Sequence, residues 1–168
     1  PAKKESSRCP GKNTASINGI SMLERTIATV KEASVFDNVI VSTDDESILG
    51  TSFPCDVKKL QRQPELATAS SPIIDVVRHI LIEESIVGDT TVAIVPVTNP
   101  FKSSDDIQNG IALFEESSRT ASIISVCELD HPIELTWRFK SDHLEPTHRV
   151  STTRKQDFAA AYKWNDAF

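Results

Sequence analysis

The chain has 168 residues, enough for one domain with a full hydrophobic core that needs neither a disulfide nor a structural metal. Hydrophobic residues make up 39% and charged residues 25%, and no apolar run approaches the roughly 18 residues of a membrane span, so a soluble globular protein with no membrane partner is expected. Eighteen Lys and Arg against twenty-four Asp and Glu leave a net charge of −6, which gives no general field to attract nucleic acid; any phosphate site must be local.

In chain order, residues 21–33 carry apolar side chains at helical spacing, and residues 38–42 (Asn-Val-Ile-Val-Ser) form a β-branched run that predicts a strand. The alternation recurs: helix over 73–86, buried strand over 91–95 (Thr-Val-Ala-Ile-Val), helix over 105–116, strand over 121–127. Continuous apolar strands of this kind are buried on both faces, which predicts a three-layer α/β/α fold around a mainly parallel sheet. Ser103 followed by Asp106 reads as the N-cap of the third long helix. Residues 140–155 are polar and aperiodic and are expected to loop out. Three widely spaced cysteines, Cys9, Cys55 and Cys127, match neither a disulfide framework nor a zinc site, and a reducing cytoplasm is the simplest setting.

In parallel sheets ligands sit beyond the carboxyl ends of the strands, so the residues after each apolar run carry the functional information. The opening segment, residues 1–13, places Lys3, Lys4, Arg8 and Lys12 in a loop with two serines and a glycine, a composition suited to a polyphosphate but without the P-loop pattern. A solvated basic segment is the plainer alternative. Ser42-Thr43-Asp44-Asp45 ends the second run and reads either as a nucleoside contact or as a helix N-cap, the latter being the simpler reading taken alone. His79 sits on an apolar-periodic helix, where a core or boundary role is the commoner one. His131, His143 and His148 lack partners at metal-binding spacing, and no Gly-x-Ser-x-Gly elbow supports a hydrolase.

Taken together these segments resemble the acylneuraminate (CMP-sialic acid) cytidylyltransferase family within the sugar nucleotidyltransferases, over nearly the whole chain. Pro1-Ala2-Lys3 with Ser6 and Pro10-Gly11-Lys12-Asn13 resembles the family's Pro-Ala-Arg-Gly-Gly-Ser-Lys loop ending in Lys-Asn, and Val41-Ser42-Thr43-Asp44-Asp45 its Val-Ser-Thr-Asp-Asp strand end. Arg62, Pro64, Glu65, Leu66 and Ala67 resemble its Arg-Pro-x-Glu-Leu-Ala segment, followed by a helix containing Asp75, Val76, Val77 and His79. Thr98, Pro100, Asp105, Asp106 and Ile107 fit the Gln-Pro-Thr-Ser-Pro-Leu-Arg region. His131-Pro132, then Arg154-Lys155-Gln156-Asp157, Tyr162 and Asn165 complete the series.

The resemblance implies a nucleotide-diphospho-sugar transferase (Rossmann-like) fold and transfer of CMP from CTP to an acidic keto-sugar, with Mg²⁺ as cofactor, pyrophosphate as second product and a cytoplasmic homodimer as the working form. Lys3, Arg8 and Lys12 would act on the triphosphate. Ser6, Asn13, Ser42, Arg62 and one of Ser70 or Ser71 would bind the nucleotide, and Thr98, Arg154, Gln156, Tyr162 and Asn165 the sugar. The family begins with an apolar strand before Pro-Ala-Arg and places its Mg²⁺ ligands past the position of Phe168, so residues 1–168 are expected to form a single nucleotidyltransferase domain without its first strand and C-terminal part, and the natural protein to be longer at both ends. Lys4-Glu5 replaces the family's Gly-Gly, Pro96 its Gln and Glu134 a basic residue, so a sialic acid, a related nonulosonic acid or another acidic sugar all fit. Two rivals follow: another sugar nucleotidyltransferase, such as the ketodeoxyoctulosonate type, and a non-catalytic nucleotide-binding module of the same fold.

Overall fold

The computed structural model describes residues 2–4, 11–68 and 70–165. Its elements mix helices with small parallel and antiparallel sheets and fall into two compact units, one within Pro1–Ile123 and one spanning Ile124–Asn165.

The first unit opens with a short hairpin, β1 (Ser16–Ile17) and β2 (Ile20–Ser21). Its two-residue turn is Asn18-Gly19, at φ 53° and 80°. Both central positions of such a turn need left-handed backbone, which Asn tolerates and Gly adopts without strain. Ser21 then starts α1 (Met22–Ala33), one residue inside the predicted span, through a capping box: its hydroxyl accepts from the Glu24 N–H at 3.1 Å, and its own N–H donates to Glu24 Oε2 at 3.0 Å. The Ser21 hydroxyl, which also donates to Glu24 Oε2 at 2.7 Å, and then the Ser21 N–H hold the Glu24 carboxyl below its ordinary pKa. The apolar stripe Leu23, Ile27 and Val30 is buried, as the spacing predicts.

β3 (Ile40–Thr43) and β4 (Lys58–Gln61) pair in parallel, Ile40 opposite Lys58 through Thr43 opposite Gln61. The five-residue α2 (Glu46–Gly50) connects them, and Asp45 is its N-cap, accepting from the Ser47 N–H at 3.0 Å. Ala2 bridges Thr43 in parallel and donates to the Ser42 carbonyl at 2.9 Å, while the Arg62 N–H donates to the Thr43 carbonyl at 2.7 Å. Successive carbonyls of a strand point to opposite edges, so β3 lies between the N-terminal strap and β4. α3 (Ile73–Glu83) stops three residues short of its predicted end; Ser85, at φ 51°, turns the chain out of the helix. α4 (Ser104–Glu116) is capped by Ser103 and Asp106 as predicted.

Ala2, Leu23, Ile27, Val41, Ile48 and Val97 form one buried cluster, and Val30, Ala33 and Ile107 another. At about 1.5–3 kcal/mol for each fully buried Leu, Ile or Val, these few side chains dominate what holds the unit together. Gln108 adds a polar tie, donating to the Ala33 carbonyl at 2.9 Å.

Among the described residues the expected parallel pairing is seen between β3 and β4 and at the Ala2–Thr43 bridge, while the other three two-stranded sheets are antiparallel. Residues 91–95 form no ladder. Val95 and Val97 still pack into the core, but a cavity of about 340 Å³, lined by Ile27, Val41, Val76, Ile80 and Ile94 among others, takes the place of a backbone partner. Apolar patterning reports side-chain burial and is silent on whether a neighbouring strand lies within hydrogen-bonding distance.

In the second unit the predicted strand over 121–127 shortens to β5 (Val126–Glu128). β6 (Trp137–Lys140) and β7 (His143–Pro146) form a hairpin, so part of the expected 140–155 loop is a strand; the turn uses Ser141 at φ 56°. β8 (Tyr162–Trp164) pairs antiparallel with β5, Val126 opposite Trp164 and Glu128 opposite Tyr162.

Candidate functional site

The carboxyl end of β3 brings together Ser42 and Arg62, two of the residues expected on the nucleotide side, with Asn13 tied to the adjoining Lys3. Ser42 and Thr43 are fully buried and Arg62 is 6% exposed. The Arg62 guanidinium donates through Nη2 to the Ser42 carbonyl at 2.8 Å and through Nε to the Ser42 hydroxyl at 3.3 Å. Burial pulls the Arg62 pKa below its ordinary value and the nearby Asp44 charge pushes it back. Two hydrogen bonds and a neighbouring carboxylate are what a buried guanidinium needs, because an unpaired one would cost several kcal/mol.

The N-terminal strap is fastened to this strand end at successive points. The Lys4 N–H donates to Asp44 Oδ1 at 2.8 Å, and the buried Asn13 side chain donates to the Lys3 carbonyl at 2.6 Å. Gly11, at φ 68°, starts the turn that leads to Asn13, with its carbonyl accepting from Thr14 and Ala15 at 3.1 and 2.9 Å. A side chain there would be strained, so the glycine serves the turn. Lys3, Lys4 and Lys12 are half-buried, exposed and half-buried in turn. Ser6 and Arg8 lie outside the described residues, as do Glu5 and Cys9.

Of the two readings of Ser42-Thr43-Asp44-Asp45, the helix N-cap is seen at Asp45. Asp45 is a cap, and the Ser47 hydroxyl and N–H hold its carboxyl below the ordinary range. Ser42 and Thr43 form the buried floor beneath the strap. Ser70 and Ser71 lie just ahead of α3 in a hydroxyl cluster: Thr68 Oγ1 is 3.3 Å from Ser70 Oγ and 2.7 Å from Ser71 Oγ, and Ser71 donates to the Glu65 carbonyl at 2.8 Å. Thr98 is exposed and follows Val97, which belongs to the same buried cluster as Ala2 and Val41. Lys102 was not anticipated. It is 6% exposed, and its ammonium donates to the Asn99 carbonyl at 2.5 Å, locking the turn.

The remaining sugar-side residues belong to the second unit. Arg154 is turned toward its own neighbours: Nε lies 3.8 Å from Asp157 Oδ1, and the Gln156 amide, with its oxygen facing the guanidinium, accepts from Nε and Nη2 at 3.1 and 3.0 Å. Asn165 extends the β5–β8 ladder, its N–H donating to the Ser125 carbonyl at 3.2 Å and its amide to the Val126 carbonyl at 3.3 Å. Tyr162 is exposed on β8. An open hollow of about 360 Å³ lies alongside, lined by Gln156, Lys155, Glu128, Leu129, Pro132 and Phe158 with the alanines that follow. Gln156 therefore reaches the hollow with Lys155 beside it, while Arg154 does not line it. Lys155 was not singled out from the sequence, although it lies within the Arg-Lys-Gln-Asp run and lines this hollow.

Among the described residues no group of three or more His, Cys, Asp or Glu side chains could hold a metal ion. Asp44 and Asp45 are adjacent, and each is bonded to a separate partner, Lys4 and Ser47.

The family description for cytidylyltransferases matches residues 1–166. The chain belongs to the cytidylyltransferase family. The chain is 28% identical over 130 residues to a CMP-N,N'-diacetyllegionaminic acid synthase of Legionella pneumophila, covering 75% of this chain and 55% of that one. It is 27% identical over 150 residues to 8-amino-3,8-dideoxy-manno-octulosonate cytidylyltransferases of Shewanella oneidensis and Shewanella baltica, covering 85% of this chain and 60% of theirs. The chain thus spans somewhat more than half the length of these cytidylyltransferases. No helix among its described residues is long and apolar enough to cross a membrane.

Proposed function

We propose that this cytidylyltransferase-family protein transfers CMP from CTP to an acidic keto-sugar. The anomeric oxygen of the sugar attacks the α-phosphorus, the α–β phosphoanhydride bond breaks, pyrophosphate leaves, and the hydroxyl proton passes to solvent. Such a transfer asks the protein for positioning and positive charge more than for covalent chemistry. The observation that carries the reading is the cation-bearing strap pinned to the end of β3, in a chain matched to the family over 1–166. Lys3 and Lys12 stabilise the triphosphate and the developing charge of the leaving pyrophosphate, with Arg8 assigned the same task. Ser6, Asn13, Ser42, Arg62 and the Ser70–Ser71 pair form the nucleotide side, Ser42 and Arg62 acting as its floor. The fold in this reading is the three-layer nucleotide-diphospho-sugar transferase type, and the nucleotide is taken up as its Mg²⁺ complex.

The sugar side comprises Thr98 in the first unit and Gln156, Arg154, Tyr162 and Asn165 in the second, with Lys155 added as the cation lining the hollow that meets the sugar carboxylate. Arg154 and Asn165 act by holding Gln156 and the β5–β8 ladder in place. The named substrates of the relatives, a diacetylated legionaminic acid and an amino-octulosonate, favour a decorated nonulosonic or octulosonic acid, and the octulosonate type is the second reading. A homodimer in the cytoplasm completes the proposal. Its support is the second unit's aromatic surface, with Trp137, Phe139, Tyr162 and Trp164 each at least 60% exposed, an arrangement that marks interaction surfaces more often than free ones.

The test is pyrophosphate release from CTP and Mg²⁺ with a panel of sialic, legionaminic and octulosonic acids. Sugar-dependent release is the expected result. CTP binding without release for any sugar would instead support a non-catalytic nucleotide-binding module, and release with another triphosphate alone would support a different nucleotidyltransferase.

A further inference from the structure

The second unit's hollow holds two opposite charges that do not satisfy each other. Lys155 and Glu128 both line it, yet no ion pair within 4.0 Å joins them, and among the described residues neither side chain makes a hydrogen bond or ion pair with any other group. Elsewhere in the unit Arg154 is engaged with Asp157 and Gln156, Lys140 with Glu145 at 3.2 Å, and Asp157 also with the Thr152 hydroxyl at 2.8 Å. Backbone geometry fixes both positions. Glu128 ends β5 opposite Tyr162, with the next N–H, from Leu129, donating to the Ala161 carbonyl at 2.8 Å. Lys155 begins a single 3₁₀ turn, Lys155–Asp157, closed by a bond from the Phe158 N–H to the Lys155 carbonyl at 3.3 Å. The volume of about 360 Å³ falls in the range of small-molecule sites, and Leu129, Pro132 and Phe158 give it apolar walls.

We propose that Glu128 is a specificity-determining residue that recognises an amino group on the acidic sugar. The inference rests on the cytidylyltransferase reading, in which Lys155 takes the carboxylate. A hollow with one cation and one separate anion fits a ligand carrying both signs. A purely anionic, polyhydroxylated sugar acid would gain only neutral hydrogen bonds at Glu128 and would meet a like charge whenever it bound in reverse, so the carboxylate favours an ammonium group and fixes the ligand's orientation together. A lone carboxylate is too few ligands for a divalent cation, which leaves an organic ammonium as the complementary charge.

The experiment compares kcat/KM for three matched acidic keto-sugars bearing a free amine, an acetylated amine or a hydroxyl at the same carbon, with CTP and Mg²⁺ held constant. The free amine should be preferred by about tenfold, the scale of one charge-assisted hydrogen bond. Glu128→Gln should reduce that preference to near unity while the melting temperature and the KM for CTP stay fixed. Lys155→Met should raise KM for all three sugars alike. Equal use of the three sugars by the unsubstituted protein, or a preference that survives Glu128→Gln, would overturn the assignment of Glu128 and leave CMP transfer standing. Absence of pyrophosphate from every sugar would overturn the transfer reading, and this inference with it.

Discussion

At the end of β3, Ser42 and Thr43 are fully buried, Arg62 is 6% exposed and the guanidinium is bonded to the strand it lies on, whereas the two charged residues lining the second unit's hollow, Glu128 and Lys155, are exposed and unpartnered. The first arrangement is made within the chain: Ala2 and Lys4 donate to Ser42 and Asp44, and the Asn13 amide donates to the Lys3 carbonyl. The second leaves its electrostatic complement to be supplied from outside. Buried polar networks are costly when half satisfied and rigid when complete, so they suit the part of a reaction that does not vary. Exposed charges can be exchanged with little effect on stability, which suits the part that differs between substrates.

That contrast can be broken experimentally, most forcefully at Arg62. Arg62→Met should lower the unfolding free energy by about 2 kcal/mol, because it strips the donor from the buried Ser42 hydroxyl and one of the two donors from the Ser42 carbonyl, which keeps the Ala2 N–H. Urea unfolding measures this, and a change below about 0.5 kcal/mol would place Arg62 among ordinary surface residues. Asp45→Ala should cost about 1 kcal/mol in the same assay through loss of the α2 cap, with Asp45→Asn recovering most of it.

The same residue sharpens the comparison through pH. Its folded pKa lies below the unfolded one, so its contribution is fully present above the unfolded value, near 3.9, and is lost as pH falls through the lower folded value. Urea midpoints between about pH 5 and 2.5 should therefore fall less steeply in Asp45→Asn than in the unsubstituted protein. The smallest effect is expected in the hollow: Lys155→Met should shift the unfolding free energy by less than about 0.5 kcal/mol while raising the KM for sugar, the reverse of the Arg62 pattern.

Much of the first unit was legible because its signals are local. Helical spacing gave α1 and α4, and Ser103 with Asp106 marked a cap that the structure shows as a capping box. Residues 91–95 show where locality fails: their apolar pattern places Val95 and Val97 in the core but cannot report that a cavity adjoins them in place of a paired strand. The β6 strand was readable from the alternation of Trp137, Arg138, Phe139 and Lys140, and was obscured by the polar stretch that follows it. Among site residues, motif order drew attention to Arg154, whereas its side chain bonds to Gln156 and Asp157 and leaves the hollow to Lys155. Lys102 gave no warning, since a lysine sealed into a turn looks in sequence like any solvated lysine.

The central claim is that the strap and the end of β3 form a cytidine triphosphate site. The most direct test is thermal protection of the protein by CTP, UTP, ATP and GTP at equal concentration, because a ligand that binds only the folded state raises the melting temperature by mass action. The account predicts a marked upward shift with CTP that is reduced in Lys3→Ala and Lys12→Ala variants. Equal shifts with all four nucleotides, or none with CTP, would contradict it.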